Sequence, residues 1–330
     1  MLVIDHPFMG QVATEQCLLP LDHCVSGSEL QQLERDSVGQ SHGSYFFQGH
    51  QWAFAIDAAA QVAGFRPDLL EKAGATLPKT WNEVFDLGKV RRGFVSAALW
   101  PVDAIICFFT FCANYGEPAF TAPEQVVNDE VGQYALERLN KLFQCSLPEA
   151  QTMNPVAVWE RMSSSDDVAY CPLAFGYSNY SRDGYRHNLL SFGPIPSPSA
   201  HGPIGATLGG AGIAISRNCT HPEIAAEYAL RIAGADCQRT LYVDSGGQPG
   251  NRIAWLDDHA NRITNRYFLA TLPVLENAWL RPRSRGFVTF QAASAEIIAR
   301  YLRNALSTRK TLELLNWTYK RMVDPRGSSD

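Results

Sequence analysis

Gln51–Leu70 reads QWAFAIDAAAQVAGFRPDLL. Its opening, Trp52–Ile56, is a short apolar run of aromatic and β-branched residues, the composition of a buried strand. The run ends in a lone carboxylate, Asp57, followed by Ala58, Ala59 and Ala60, whose side chains are too small to obstruct a neighbouring segment. A chain that crosses between two bodies at the floor of a cleft needs such a strand. Phe65, Arg66, Pro67 and Asp68 then lead into helix. Further on, Thr80 and Glu83 in TWNE form a capping box, each side chain accepting from the other residue's backbone amide.

The bulk properties leave room for two such bodies. The chain has 330 residues and is 46% hydrophobic, enough for two separate cores in a globular protein. The formal charge of −5, with no basic stretch beyond a few residues, argues against nucleic acid as a partner. Arg281–Arg285 (RPRSR) is the local exception and is read as structural. No run of roughly 18 uncharged apolar residues offers a membrane span. The eight cysteines contain no CxxC pair and are expected to be reduced and mostly buried.

Along the chain, Leu2–Ile4 reads as a strand running into Asp5, His6 and Pro7. In doubly wound α/β folds such a loop at a strand's carboxyl end meets ligands. Val95–Leu99 is apolar, and residues 102–115 are apolar nearly all round, predicting a buried helix that ends at Gly116. Asn128–Cys145 predicts an amphipathic helix. Ala169–Arg182 (AYCPLAFGYSNYSR) predicts a strand and then a loop dense in aromatic and amide side chains. Pro194–Pro203 is a linker into Gly205–Ser216, whose glycines within a strand-like pattern suit a second crossing. Thr220 and Glu223 predict another capping box, Ser245–Gly250 a tight polar turn, and 257–280 helix broken at Pro273. Arg281–Arg283 is the third candidate crossing. Helices are expected over 290–306 and 311–323, with 324–330 frayed.

Catalytic signatures fail one after another. Gly74–Thr80 is one residue short of a phosphate loop and carries Pro78 where a glycine must turn. Gly209–Gly212 lacks dinucleotide spacing. Gly176–Tyr180 lacks the final glycine of a nucleophile elbow. No HExxH occurs, and eight scattered histidines show no metal-ligand spacing, so neither metal nor cofactor is expected.

One resemblance spans almost the whole chain in order. VIDHP with LLPLD, AIDAAAQ with FRPDLL, PKTWNE, AYCPLAFGYSNYSR, LGGAGIAIS, SGGQPGNRIAW and RPRSRGFVTFQ resemble successive landmarks of the family 1 extracellular solute-binding proteins of ABC importers, the maltose-binding-like group. The resemblance implies an α/β fold of two lobes joined by crossing strands, the class II periplasmic-binding-protein fold. The lobes are expected at 1–57 with 208–280 and at 58–207 with 281–330. VIDHP resembles the family's third strand, so the signal peptide and first two strand–helix units are expected upstream, leaving the first lobe incomplete at its N-terminus. The first strand of such a lobe normally sits inside a parallel, doubly covered sheet, so its loss is expected to leave apolar edges open. Met1–Pro7 itself has no basic n-region and no cleavable apolar segment, so a periplasmic or extracytoplasmic location depends on such an upstream leader.

The function implied is capture of a small polar solute, a sugar or polyol, by closure of the lobes, with a membrane permease of an ABC importer as partner and the chain a monomer. The expected lining is Asp5 and His6 in the first-lobe loop, Asp57 at the crossing, and Trp100 with Asp103 at the buried helix's start. Tyr177, Asn179 and Tyr180 come from the aromatic loop, Gly209 and Gly210 from the second crossing, and Gln248 and Arg283 from later loops. Two other readings stand beside it. One is a cysteine-dependent transferase on the same scaffold, with Cys171 as nucleophile and His6 or His187 as base. The other is a cytoplasmic sensor domain that is never exported.

Overall fold

The computed structural model describes residues 1–122, 125–199 and 205–323. The C-terminal stretch 324–330 and residues 200–203 of the linker lie outside them. Strands run β1 Leu2–Asp5, β2 Phe46–Phe47, β3 His50–Gln51, β4 Phe54–Phe65, β5 Tyr170–Phe175, β6 Ser191–Gly193 and β7 Leu208–Ala214.

β4 is the spine. It does not end at Asp57, as the sequence reading had it, but continues through the alanines to Phe65. Its pairing with β7 shifts register between Ala55 and Asp57. An extra residue in one strand bends it and re-aims a side chain without stopping the ladder. The first half of β4 pairs with β7, which pairs in turn with β1, while the second half pairs with β5 and β6. One strand thus serves two patches of sheet.

Every ladder between the named strands is antiparallel, and parallel pairing among the described residues is confined to the isolated bridges Thr80–Ser197, Val95–Tyr170 and Thr207–Trp279. The named strands therefore do not form the parallel sheet expected of such a lobe. β1 lies at the edge of the sheet, with Val3 67% exposed. Antiparallel sheets can carry one face or one edge in water, which a buried parallel sheet cannot.

The core divides where β4 changes partners. Phe54 and Ile56 pack with Leu21, Leu33, Ile213, Ile215 and Ala226. Ala53 and Ala55, on the opposite face of the pleat, pack with Met9, Val12, Tyr45, Phe47 and Trp52. Beyond Asp57 the strand enters a larger cluster with the helices Pro101–Tyr115, Asp129–Cys145 and Phe287–Leu302. Phe108, Phe109 and Phe111 are fully buried there, each contributing about 1.5–3 kcal/mol by leaving water. At the far end of β4, buried Arg66 donates to the carbonyls of Met162 and Ser165 and to the carboxylates of Asp68 and Asp166.

Local signals hold in most places. The Thr80–Glu83 capping box forms, Asn128 caps its helix by accepting from the Val131 amide, and the buried helix ends at Gly116. Three expectations are corrected. The Thr220–Glu223 capping box does not form: His221 takes the N-cap position of Pro222–Ala233 without a side-chain cap bond, and Pro222 in the first turn sets the start one residue later. The break within 257–280 falls at Asn265 and Arg266, both at positive φ, and Pro273 sits inside the helix Tyr267–Glu276. The helix expected over 290–306 starts earlier, at Phe287 beside Gly286, and ends at Leu302.

Candidate functional site

Beside the register shift at Asp57 lies a cavity of about 290 Å³. Asp5 arrives at its rim from the end of β1, and Asp57 lies on the floor. Gly209 and Gly210 of β7 form one wall; Tyr177 and Asn179 form the other, with Gln248 between. These seven were expected from the sequence. Gly210 has φ +120°, and a Cβ there would lie 2.3 Å from the Asp57 carbonyl oxygen. Glycine is what lets the two crossing strands pass so closely.

Gln248 fastens the walls together. Its amide lies 3.4 Å from Asp57 Oδ2, its carbonyl accepts from Ala58, and its side-chain oxygen accepts from the Ser178 amide at 2.6 Å. The aromatic loop is thereby tied to the floor.

Two carboxylates line this space, and a third acts by charge on its wall residue Tyr177. Burial pushes Asp57 up to about 7, the Gln248 amide pulling down and the charge of Asp5 adding to the rise. Burial also raises Asp5, against the pull of Arg281. Asp103, in the first turn of the helix Pro101–Tyr115, is pushed up to about 7 by burial. Tyr177 is raised by burial first, then by the charges of Asp57, Asp103 and Asp5. Asp103 therefore faces the cleft electrostatically without lining the cavity.

The remaining expected residues are placed elsewhere. His6 is buried behind the rim, 6.3 Å ring to ring from Tyr45, and desolvation first and then Arg281 and Arg283 hold it well below its usual range. Trp100 is 48% exposed and stands at the N-cap position of the helix Pro101–Tyr115 without a side-chain cap bond, outside the cavity lining. Tyr180 is 2% exposed and donates to Glu160 at 2.8 Å, so its ring belongs to the packing behind the loop. Arg283 lines a neighbouring cavity of about 340 Å³ with Phe120, Trp279 and Tyr319. Its guanidinium donates to the carbonyls of Gly43, Ser44 and Phe46, and its own carbonyl accepts from Gly10 at 2.8 Å.

Sequence reasoning missed Arg281, which lines both cavities, is buried and donates to Gln291 at 3.1 Å. Desolvation lowers it to about 10, with Asp5 and Tyr45 opposing. Its signal was the RPRSR cluster, set aside as structural. Phe175, Ser178 and Gly246 also line the site; each lies in a stretch singled out for its aromatic or glycine content.

The cavity presents carboxylate oxygens, an amide, backbone groups and a guanidinium, the groups that suit hydroxyls, with the Tyr177 ring as an apolar face. Cys171 is not poised to attack anything. It is fully buried in β5, and burial raises its thiol to about 12, opposite to the depressed value of a reactive thiolate. The transferase reading loses its nucleophile.

Two lobes hung on crossing strands with a polar, ring-lined gap at the crossing define a solute-trapping protein. The model of the bacterial extracellular solute-binding protein family matches residues 1–229, and the chain belongs to that family. Its fold is that of solved members. A maltose-bound MalE3 of T. maritima is 17% identical, with 97% of this chain and 84% of that chain covered and a TM-score of 0.82. A solute-binding protein of Agrobacterium radiobacter K84 in complex with ribitol is 18% identical over 97% and 84% of the two chains, TM-score 0.79. One from Thermotoga lettingae TMO bound with α-D-tagatose is 16% identical over 98% and 84%, TM-score 0.79. No helix among the described residues is long and apolar enough to cross a membrane.

Proposed function

We propose that this solute-binding protein captures a sugar or polyol at Asp5, Asp57, Tyr177, Asn179, Gln248 and Arg281, closes its lobes on it, and delivers it to the membrane permease of an ABC importer. The observation that carries the reading is the meeting of the Asp5 and Asp57 carboxylates, amide groups and an aromatic ring at the one place where β4 passes from one core to another. The relatives' ligands, maltose, ribitol and tagatose, are of the same chemical class. The protein works as a monomer outside the cytoplasmic membrane, with no nucleic-acid partner and no catalytic step of its own.

The lobe boundaries belong to the same proposal. Trp255, Phe268, Leu272 and Leu275 pack with the larger cluster, which supports assigning 243–280 to the second lobe rather than the first.

A thermal-shift screen of sugars and polyols tests the reading. At a hundredfold excess over Kd a ligand stabilises the folded state by about 2.7 kcal/mol. Asp57→Ala is expected to abolish the shift produced by the best ligand. A panel in which no sugar or polyol moves the melting point would overturn the assignment.

A further inference from the structure

Asp22, His23 and His50 lie away from the cleft and take no part in it. Asp22 and His23 belong to the turn Leu21–His23, while His50 opens β3, 28 residues beyond Asp22. The fold brings them together. Among the described residues they are the one group of three in which a ligand atom from each of three histidine, cysteine or acidic side chains lies within 4.8 Å of the others.

The geometry is that of a half-built coordination shell. Asp22 Oδ1 accepts from the Gln51 amide at 3.0 Å, which fixes the carboxylate plane. Asp22 Oδ2 is then 2.8 Å from His50 Nδ1 and 3.7 Å from His23 Nε2. Ligand atoms about 2.0–2.1 Å from a tetrahedral zinc ion stand roughly 3.3–3.4 Å from one another, between those two separations. The imidazole rings meet edge to face at 5.2 Å, and His23 and His50 keep 64% and 39% of their side-chain surface in water. An ion therefore has a path in and an open position for water.

We propose that Asp22, His23 and His50 bind a divalent ion of the zinc class. Two imidazoles and one carboxylate suit zinc, copper or nickel, whereas magnesium and calcium require an all-oxygen shell. The amide of Gln51 plays the outer-shell part that orients a ligating carboxylate. The bound ion cross-links the 21–23 turn to the β2–β3 hairpin. A surface ion pair between Asp22 and His50 is the competing account, and it leaves His23 without a role.

Calorimetric titration of the full chain with Zn²⁺ in metal-free buffer at neutral pH decides between them. One equivalent is expected to bind, and His50→Ala and His23→Gln are each expected to weaken it at least tenfold. His259→Ala, which removes a histidine paired elsewhere with Asp244, is expected to leave the affinity unchanged. His23 is exposed enough that its replacement keeps the fold if His50→Ala does not. A second readout is optical. The Trp52 ring lies 5.9 Å from that of His50, so Cu²⁺ is expected to quench an emission component that Trp52→Phe removes and His23→Gln protects. Equal zinc affinity in wild type and His23→Gln, or no zinc uptake by the wild type, would overturn the site.

Discussion

Asp57 combines a position on the cavity floor with a carboxyl raised to about 7 by burial. The sign of its effect on stability follows directly. Unfolded, the group releases its proton near 3.8; folded, near 7. Between those values the folded chain holds a proton the unfolded chain has lost, so the stabilising contribution is full below about pH 4 and is lost as pH rises through 7. With the cleft's solvent screening part of the effect, the loss amounts to about 1–2 kcal/mol. Urea unfolding of wild type and Asp57→Asn at about pH 4.5 and about pH 7.5 should show the wild type's advantage shrinking by that amount. A pH-independent difference would refute the assignment. Asp57 was legible because a lone acid ends an apolar run. Tyr180 was not, because the choice between cleft and core is made by Glu160, which accepts its hydroxyl from another helix. Arg281 was overlooked for the same reason: a basic cluster in sequence does not reveal that one of its members is buried beside Asp5.

At the scale of the element, β4 and β7 depend on passing within touching distance. Gly210→Ala places a methyl against the Asp57 carbonyl at a backbone angle alanine resists. Destabilisation of more than about 2 kcal/mol is expected in chemical denaturation, combining backbone strain with a forced separation of the strands. Gly43→Ala, where nothing lies within 4 Å of the new methyl, serves as the control. Glycine within a strand pattern announced this crossing from sequence alone. The continuation of β4 past Asp57 was hidden, since a run of three alanines carries neither β-branched nor alternating character; tertiary pairing with β7 and β5 decides it. The antiparallel arrangement was equally hidden, because strand direction is set by where the chain returns and not by the residues in the strand.

For the whole molecule, the two-lobed architecture was readable from the order of its landmarks, each weak alone. The thiols provide a global probe of that architecture. All eight cysteines are free; Cys107, Cys112 and Cys171 are buried in the larger core, whereas Cys17 is exposed. A thiol reagent should modify Cys17 quickly in the native protein and those three only on unfolding, and reductant should leave the melting point unchanged. Fast native labelling of Cys171 would mean that the core around β5 opens far more readily than its burial implies.

The grip of Arg283 on Gly43, Ser44, Phe46 and Gly10 sets a mechanical boundary on the closure proposed above. It rivets the last connecting segment to the smaller body, so twist on that side is confined to the short tether between Arg283 and the helix that starts at Phe287. In that closure, a tether of that length is expected to act as a torsion bar with a stop that limits how wide the jaws open.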